Sequence, residues 1–344
     1  MDTHHESRER PSQPVSRLGL YLPTALLLTG ALAWSGFWFY SADRTDKLLA
    51  ALKADEAAKG RSWTCADQRV AGFPFRIEVH CASLSLSLIQ DGRPTQMQTG
   101  AVHTAMQVYS PGLVLADVDG PLTIRSEGTN TTAAWENLRA SARFSNRLDR
   151  LSIVMAKPQF EHQTDGSEKI ASAAKSAEAH IRYDLARPVE ERAFDLALQL
   201  TQMHSPTLNA LTGSSETLDF AISGIATKLT DIAPQGWRSV LETWRGAGGS
   251  FIVETGRFAK GALQINGKGA LNLDASRRLQ GKLDVSAQGL GPIVTRFAGP
   301  GAGQMVGALL TQKDGAPMAF PLQLQDGRIQ LGPLRTGPVL GPLY

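Results

Sequence analysis

With 344 residues, 33 Gly and 18 Pro, the chain has room for one large domain or two smaller ones, and its composition favours short strands joined by turns over long helices. The formal charge is +3, from 35 Lys and Arg against 32 acids. The basic residues are scattered, with no basic block and no interleaved aromatics to displace counterions from phosphates, so no nucleic-acid partner is expected.

Residues 1–17 read as a cytoplasmic tail. From Leu18 to Tyr40 no residue is charged, and these 23 residues extend about 34 Å as a helix, enough for a hydrocarbon core of roughly 30 Å. Trp34, Trp38 and Tyr40 suit the head-group level at the far end. The rival reading is a cleaved signal peptide, because Arg17, the apolar run and the triplet Ala31-Leu32-Ala33 imitate its parts. The apolar run continues well past Ala33, however, and a cleavable core is only about 7–15 residues long, which favours an uncleaved anchor.

Loop charge does not set the orientation: Arg8, Arg10 and Arg17 precede the span, and Arg44, Lys47, Lys53 and Lys59 follow it. The cysteines carry that argument. Cys65 and Cys81 lie close enough in sequence to close a disulfide worth roughly 3 kcal/mol in an oxidising compartment. Two buried free thiols are the alternative, while a metal site lacks a His or Cys partner at ligand spacing. The expectation is a single-pass inner-membrane protein with the bulk of the chain in the periplasm and the lipid bilayer as its partner through Leu18 to Tyr40.

Residues 41–60 read as a stalk helix continuing the anchor, with Leu48, Leu49 and Leu52 on one stripe and Gly60 as its stop. Residues 61–233 form a β-rich part. Phe75, Ile77, Val79 and Cys81 alternate on one face, and Leu84, Leu86 and Leu88 continue in the opposite parity, so a bulge or bend is expected at Ala82 and Ser83. Further alternation at Val102 to Val108, Leu122 and Ile124, Phe194 to Leu200 and Leu218 to Ile222 predicts half-buried antiparallel strands.

Residues 234–344 open on an amphipathic helix carrying Trp237, Val240, Leu241 and Trp244, bounded by Pro234 and Gly246, with both Trp rings read as core. A β-meander follows, interrupted by a glycine-rich joint at 299–303 and closed by a tight hairpin at Asp326-Gly327. The fold class is mainly β (α+β): a transmembrane helix, then an elongated, curved antiparallel sheet with a few short helices.

Several segments carry a resemblance: Trp63-Thr64-Cys65, Val70-Ala71-Gly72-Phe73-Pro74-Phe75-Arg76 leading to Cys81, Tyr109-Ser110-Pro111, Gly120-Pro121-Leu122, Leu331-Gly332-Pro333-Leu334 and Pro342-Leu343-Tyr344. They resemble the domain-of-unknown-function family numbered 2125, Gram-negative envelope proteins with an N-terminal membrane segment. The resemblance implies location and supplies no activity or catalytic residue. The meander from Gly261 to Gly289 is more loosely similar to AsmA-like envelope proteins, which implies a β-groove for lipid.

Catalytic motifs are missing: no Gly-x-Ser-x-Gly, His-Glu-x-x-His or Cys-x-x-Cys occurs. Ser172-Ala173-Ala174-Lys175 has the spacing of a penicillin-recognising hydrolase, whose tetrad opens a helix, but lacks a Ser-Asp-Asn partner. His80, His103, His162, His180 and His204 are scattered without metal spacing. The expectation is a protein that is not an enzyme, with no cofactor, no metal and no catalytic residue, whose apolar concave face binds lipid or another hydrophobic partner. The alternatives are an envelope scaffold or assembly factor that binds proteins, and a periplasmic serine hydrolase at Ser172 and Lys175.

Overall fold

The computed structural model describes residues 18–90, 92–229, 237–291, 317–331, 334–335 and 339–344. The tail at 1–17, Pro234 and the joint at 299–303 lie outside the described residues. Helix α1 (Leu18–Ala58) joins the expected anchor and stalk in one rod of 41 residues, about 61 Å long at the helical rise. It is apolar and exposed enough at its start to cross a membrane. Its later turns lean on the sheet through polar contacts: Lys53 donates to Gln68 (2.6 Å), and Gln68 donates to Asp46 (2.8 Å). Gly60, at φ +76°, ends the run in the left-handed region.

The rest is an antiparallel meander. Its first fourteen strands form seven pairs, each pair one long strand broken by a corner of one to three residues. The pairs are β1 (Ser62–Ala66) with β2 (Arg69–Ala71), β3 (Arg76–Cys81) with β4 (Ser83–Gln90), β5 (Arg93–Thr99) with β6 (Val102–Gln107), and β7 (Ser110–Val118) with β8 (Leu122–Ser126). They continue as β9 (Thr129–Ala134) with β10 (Asn137–Phe144), β11 (Leu148–Ala156) with β12 (Gln159–Thr164), and β13 (Ile170–Ala173) with β14 (Ser176–Tyr183). One half of every pair joins a seven-stranded sheet, β1-β4-β5-β8-β9-β12-β13, and the other half joins a fifteen-stranded sheet in the same lateral order.

Hydrogen bonds run along the corner line itself: Ala82 N to Ala66 O (2.8 Å), Asp119 N to Ala101 O (2.8 Å), Glu136 N to Ala156 O (3.0 Å) and Lys157 N to Lys175 O (2.9 Å). The two sheets are therefore one surface, bent. The parity change expected at Ala82 is one of these corners.

The bend closes towards the apolar side. Ala66 opposite Ser83 and Arg69 opposite His80 share one register, which would place Cys81 opposite Gln68, three residues along the strand from Cys65. In flat strands the two cysteines would lie about 11 Å apart. Their Cα atoms are 5.1 Å apart and the pair forms the expected disulfide. Both rise from apolar rows, Cys65 beside Leu84 and Cys81 beside Val102, so the apolar face is concave at this corner.

Beyond β14 the larger sheet continues through β15 (Phe194–Met203), β16 (Leu218–Ala226), β17 (Phe251–Lys260), β18 (Leu263–Leu273), β19 (Leu279–Gln288) and β20 (Met318–Gln325) to β21 (Arg328–Leu331) and β22 (Leu334–Arg335). The β20–β21 hairpin turns on Asp326-Gly327, both at positive φ (53° and 74°), the geometry that the Asp-Gly pair is suited to. Among the described residues, two short α-helices and a 3-10 turn at Val189–Glu191 complete the fold. Helix α2 (Pro206–Thr212) was not read from the sequence. Helix α3 (Trp237–Gly246) was, with one correction: Trp244 is buried and donates to Thr227 O (2.8 Å), whereas Trp237 at the first turn is exposed.

Candidate ligand-binding trough

Cross-strand register gives the larger sheet two unlike faces. Ala140, Ile153, Ala179, Leu198 and Ile222 oppose one another in turn on β10, β11, β14, β15 and β16. The next row repeats the chemistry with Leu138, Met155, Ala177, Leu200 and Phe220. The seven-stranded sheet carries its own apolar row, in which Leu86, Met97 and Ile124 are opposed on β4, β5 and β8.

These residues are only half-buried, and Leu198 is 41% exposed. A filled core behaves differently: where α1 meets the sheet, Trp38 (5%), Ile77 (2%) and Val108 (8%) pack into a closed cluster. The apolar face is thus a lined trough whose side chains keep contact with solvent. Hydration of that much apolar surface is unfavourable, at roughly 25 cal/mol per Å2 of apolar area.

The opposite face is polar and ion-paired. Arg139 pairs with Asp117 (3.2 Å) and Arg182 with Asp195 (2.6 Å). A depression of about 520 Å3 lies on this side, with Arg150, His180, Arg182, Asp195, Ser223 and Glu254 in its wall.

One cluster on that face escaped the sequence reading. His80 and His103 are directly opposed on β3 and β6, and Glu78 stands two residues before His80 on the same side. The imidazole rings stack with centroids 4.3 Å apart. Glu78 Oε2 lies 3.4 Å from His80 Nε2 and 3.6 Å from His103 Nε2, and the latter nitrogen is buried without a hydrogen-bond partner. The three donor atoms lie within 4.8 Å of one another. Spacing along the chain concealed the pair; the polar alternation Glu78-x-His80 on β3, once β3 is paired with β6, is the signal that finds it.

Among the described residues, the other histidines stay apart. His162 bonds to Thr131 Oγ1 (2.8 Å), His180 lies 3.4 Å from Glu178, and His204 forms a backbone bridge with Ala173. Ser172 sits within β13 and Lys175 at the adjoining corner, so the tetrad does not open a helix as the hydrolase arrangement requires.

Fold and site together define a class: a bent antiparallel β-trough, apolar within and ion-paired without, joined to an N-terminal helix apolar enough to cross a membrane. Within that class, the chain belongs to the family DUF2125, described as an uncharacterized protein conserved in bacteria, whose model matches residues 38–339. No curated protein and no solved structure matches the chain.

Proposed function

We propose that the protein is anchored in the inner membrane by the first part of α1, that its sheet stands in the periplasm, and that the trough binds phospholipid acyl chains as a non-enzymatic carrier or holder. The observation that carries the reading is the continuous apolar row from Ala140 to Ile222, left half-buried where a packed core would be closed. Acyl chains fit that surface because they are apolar, narrow and drawn from the bilayer to which the sheet is tethered. The disulfide supports an oxidising compartment for the sheet.

The test is organic extraction and mass spectrometry of lipid bound to protein purified in mild detergent, with Leu198→Asp and Ile222→Asp as comparison. Phospholipid at a fixed molar ratio, lost in both variants and retained in Gln199→Asp on the opposite face, is the expected result. Protein without lipid but crosslinked to a fixed protein partner would replace this reading with an assembly factor. A reporter fused after Tyr344 that is active only in the cytoplasm would overturn the topology.

A further inference from the structure

The turn between β2 and β3 and its neighbour between β6 and β7 meet α1 below the end of its uncharged segment. Trp34 Nε1 donates to Pro74 O (2.8 Å) and Trp38 Nε1 to Arg76 O (2.7 Å). Phe73 packs on Trp38 and Phe39, and Phe75 on Trp34. Trp34 precedes Tyr40 by six residues, about 9 Å of helix, so these turns reach well down beside the span.

Three large side chains there have little protein to cover them: Phe73 (53% exposed), Phe75 (59%) and Tyr109 (62%). No charge occurs from Val70 to Phe75 or from Ala105 to Ala116. The backbone is prepared for a low dielectric, because the carbonyls of Gly72, Pro74, Phe75 and Arg76 all accept hydrogen bonds, two from the indoles, one from Arg76 N (3.0 Å) and one from Val108 N (3.1 Å). Gly72 at φ +100° is needed, since a Cβ there would stand 2.7 Å from Arg76 O.

We infer that Phe73, Phe75 and Tyr109 form a wedge inserted into the leaflet that surrounds the far end of α1, with Arg76 at phosphate level. The wedge would hold the first strands of the sheet on the bilayer surface, where lipid can enter a trough. It rests on α1 spanning the membrane and not on the trough being occupied.

Spin labels at Phe73→Cys, Phe75→Cys and Tyr109→Cys, in full chain reconstituted into phosphatidylethanolamine–phosphatidylglycerol nanodiscs with the native disulfide intact, test it. Ile89→Cys in the β4–β5 hairpin, beyond the Ala82 corner at the other end of the β3–β4 strand, is the control. The expected result is a severalfold higher ratio of oxygen to nickel-chelate collisions at 73, 75 and 109 than at 89. Equal ratios at all four sites would overturn the wedge. Tyr109 lies at an exposed turn, so its label reports even where a change at Phe73 disturbs folding. Lipid-free protein that keeps the depth profile would sink the trough reading and leave the wedge standing.

A second inference rests on Glu78, His80 and His103. Tetrahedral zinc with ligand bonds of about 2.1 Å separates its donors by about 3.4 Å. The two carboxylate-to-imidazole separations, 3.4 and 3.6 Å, are near that edge, His103 Nε2 has no hydrogen-bond partner, and a turn of one imidazole out of the stack, now 17° from parallel, would bring both ring nitrogens onto a shared ion. We propose that this triad binds one divalent zinc-class ion with an open fourth position, as two imidazoles and one carboxylate favour.

Zinc titration by calorimetry, in a His4→Ala/His5→Ala background to remove the adjacent histidines of the tail, is the test. One saturable equivalent, weakened at least tenfold by His80→Ala or His103→Ala and unchanged by His180→Ala, is expected. No saturable binding, or binding unaffected by either triad variant while the disulfide remains intact, would overturn it.

Discussion

Removing the Cys65–Cys81 bond tests the bend directly, because the bond holds together two residues that the ladder register alone would leave about 11 Å apart. The sequence separation is 16, and the loop-entropy relation for such a loop gives about 3 kcal/mol. In a domain of this size one kcal/mol shifts the midpoint by roughly 2–4 °C, so Cys65→Ser/Cys81→Ser should melt about 6–12 °C below the parent. Circular dichroism melts in detergent, without reductant, measure this. Reduced and alkylated parent should fall on the variant's curve, since both have lost the same cross-link. A double variant within about 2 °C of the parent, or alkylated parent that keeps its midpoint, would refute the argument that the bond stabilises the fold at this corner.

Trp38→Phe keeps much of the packing against Ile77 and Val108 but leaves Arg76 O without its indole donor, and should lower stability by about 1–3 kcal/mol in urea, with Trp38→Ala nearer 3–5; equal losses would count against the hydrogen bond. Lys260 is 1% exposed and donates to Asn209 Oδ1 (2.7 Å) and to Glu216 O, pinning α2 and the chain after it to β17. Lys260→Ala should cost about 2–4 kcal/mol, and a change within about 0.5 kcal/mol would remove that role. Glu242 is held at a pKa of about 2, below its ordinary 4.5, by Arg245 first and then by the Tyr344 hydroxyl and Arg277. A folded value below the unfolded one means the stabilisation is complete above about pH 4.5 and fades as the pH falls towards 2, so Glu242→Gln should flatten the acid limb of the urea midpoint. Leu198→Ala should cost under about 1.5 kcal/mol because that side chain is already 41% exposed, and a loss of 3 kcal/mol or more would show a filled core.

Strong alternation made much of the sheet legible. Leu-rich runs at β4, β15 and β16, the helix from Trp237 and the Asp326-Gly327 hairpin all stand where the residue pattern puts them, because a sheet with one apolar face writes a period of two into its sequence. The long N-terminal helix, apolar enough at its start to cross a membrane, was legible from its unbroken apolarity. Strands β9, β10 and β14 were not: Thr129 to Ala134, Asn137 to Phe144 and Ser176 to Tyr183 are rich in Ala, Ser, Thr and Arg, and a trough that stays half-open does not demand large side chains on every strand. Helix α2 has only seven residues, too few to show a helical stripe, and is fixed by its ends, with Ser205 at the N-cap and Gly213 in the left-handed region.

The corners explain why the pattern breaks where it does. From Cys81 to Leu84, Thr99 to Val102 and Met155 to Phe160 the step between lining residues is odd, so an ideal strand would turn the second set to water. A corner residue absorbs the extra step and keeps the lining on one side, at the same positions where lateral hydrogen bonds hold the fold line together. The same geometry governs what remained hidden on the other face. His80 and His103 are 23 positions apart in the chain and yet opposed, because β4 and β5 run out from the corner and back before β6 returns beside β3. A site that spans β3 and β6, β7 and β10 or β11 and β14 is therefore assembled from residues separated by a whole hairpin excursion. Short-motif spacing alone therefore misses groups such as His80 and His103, and cross-strand register brings them together.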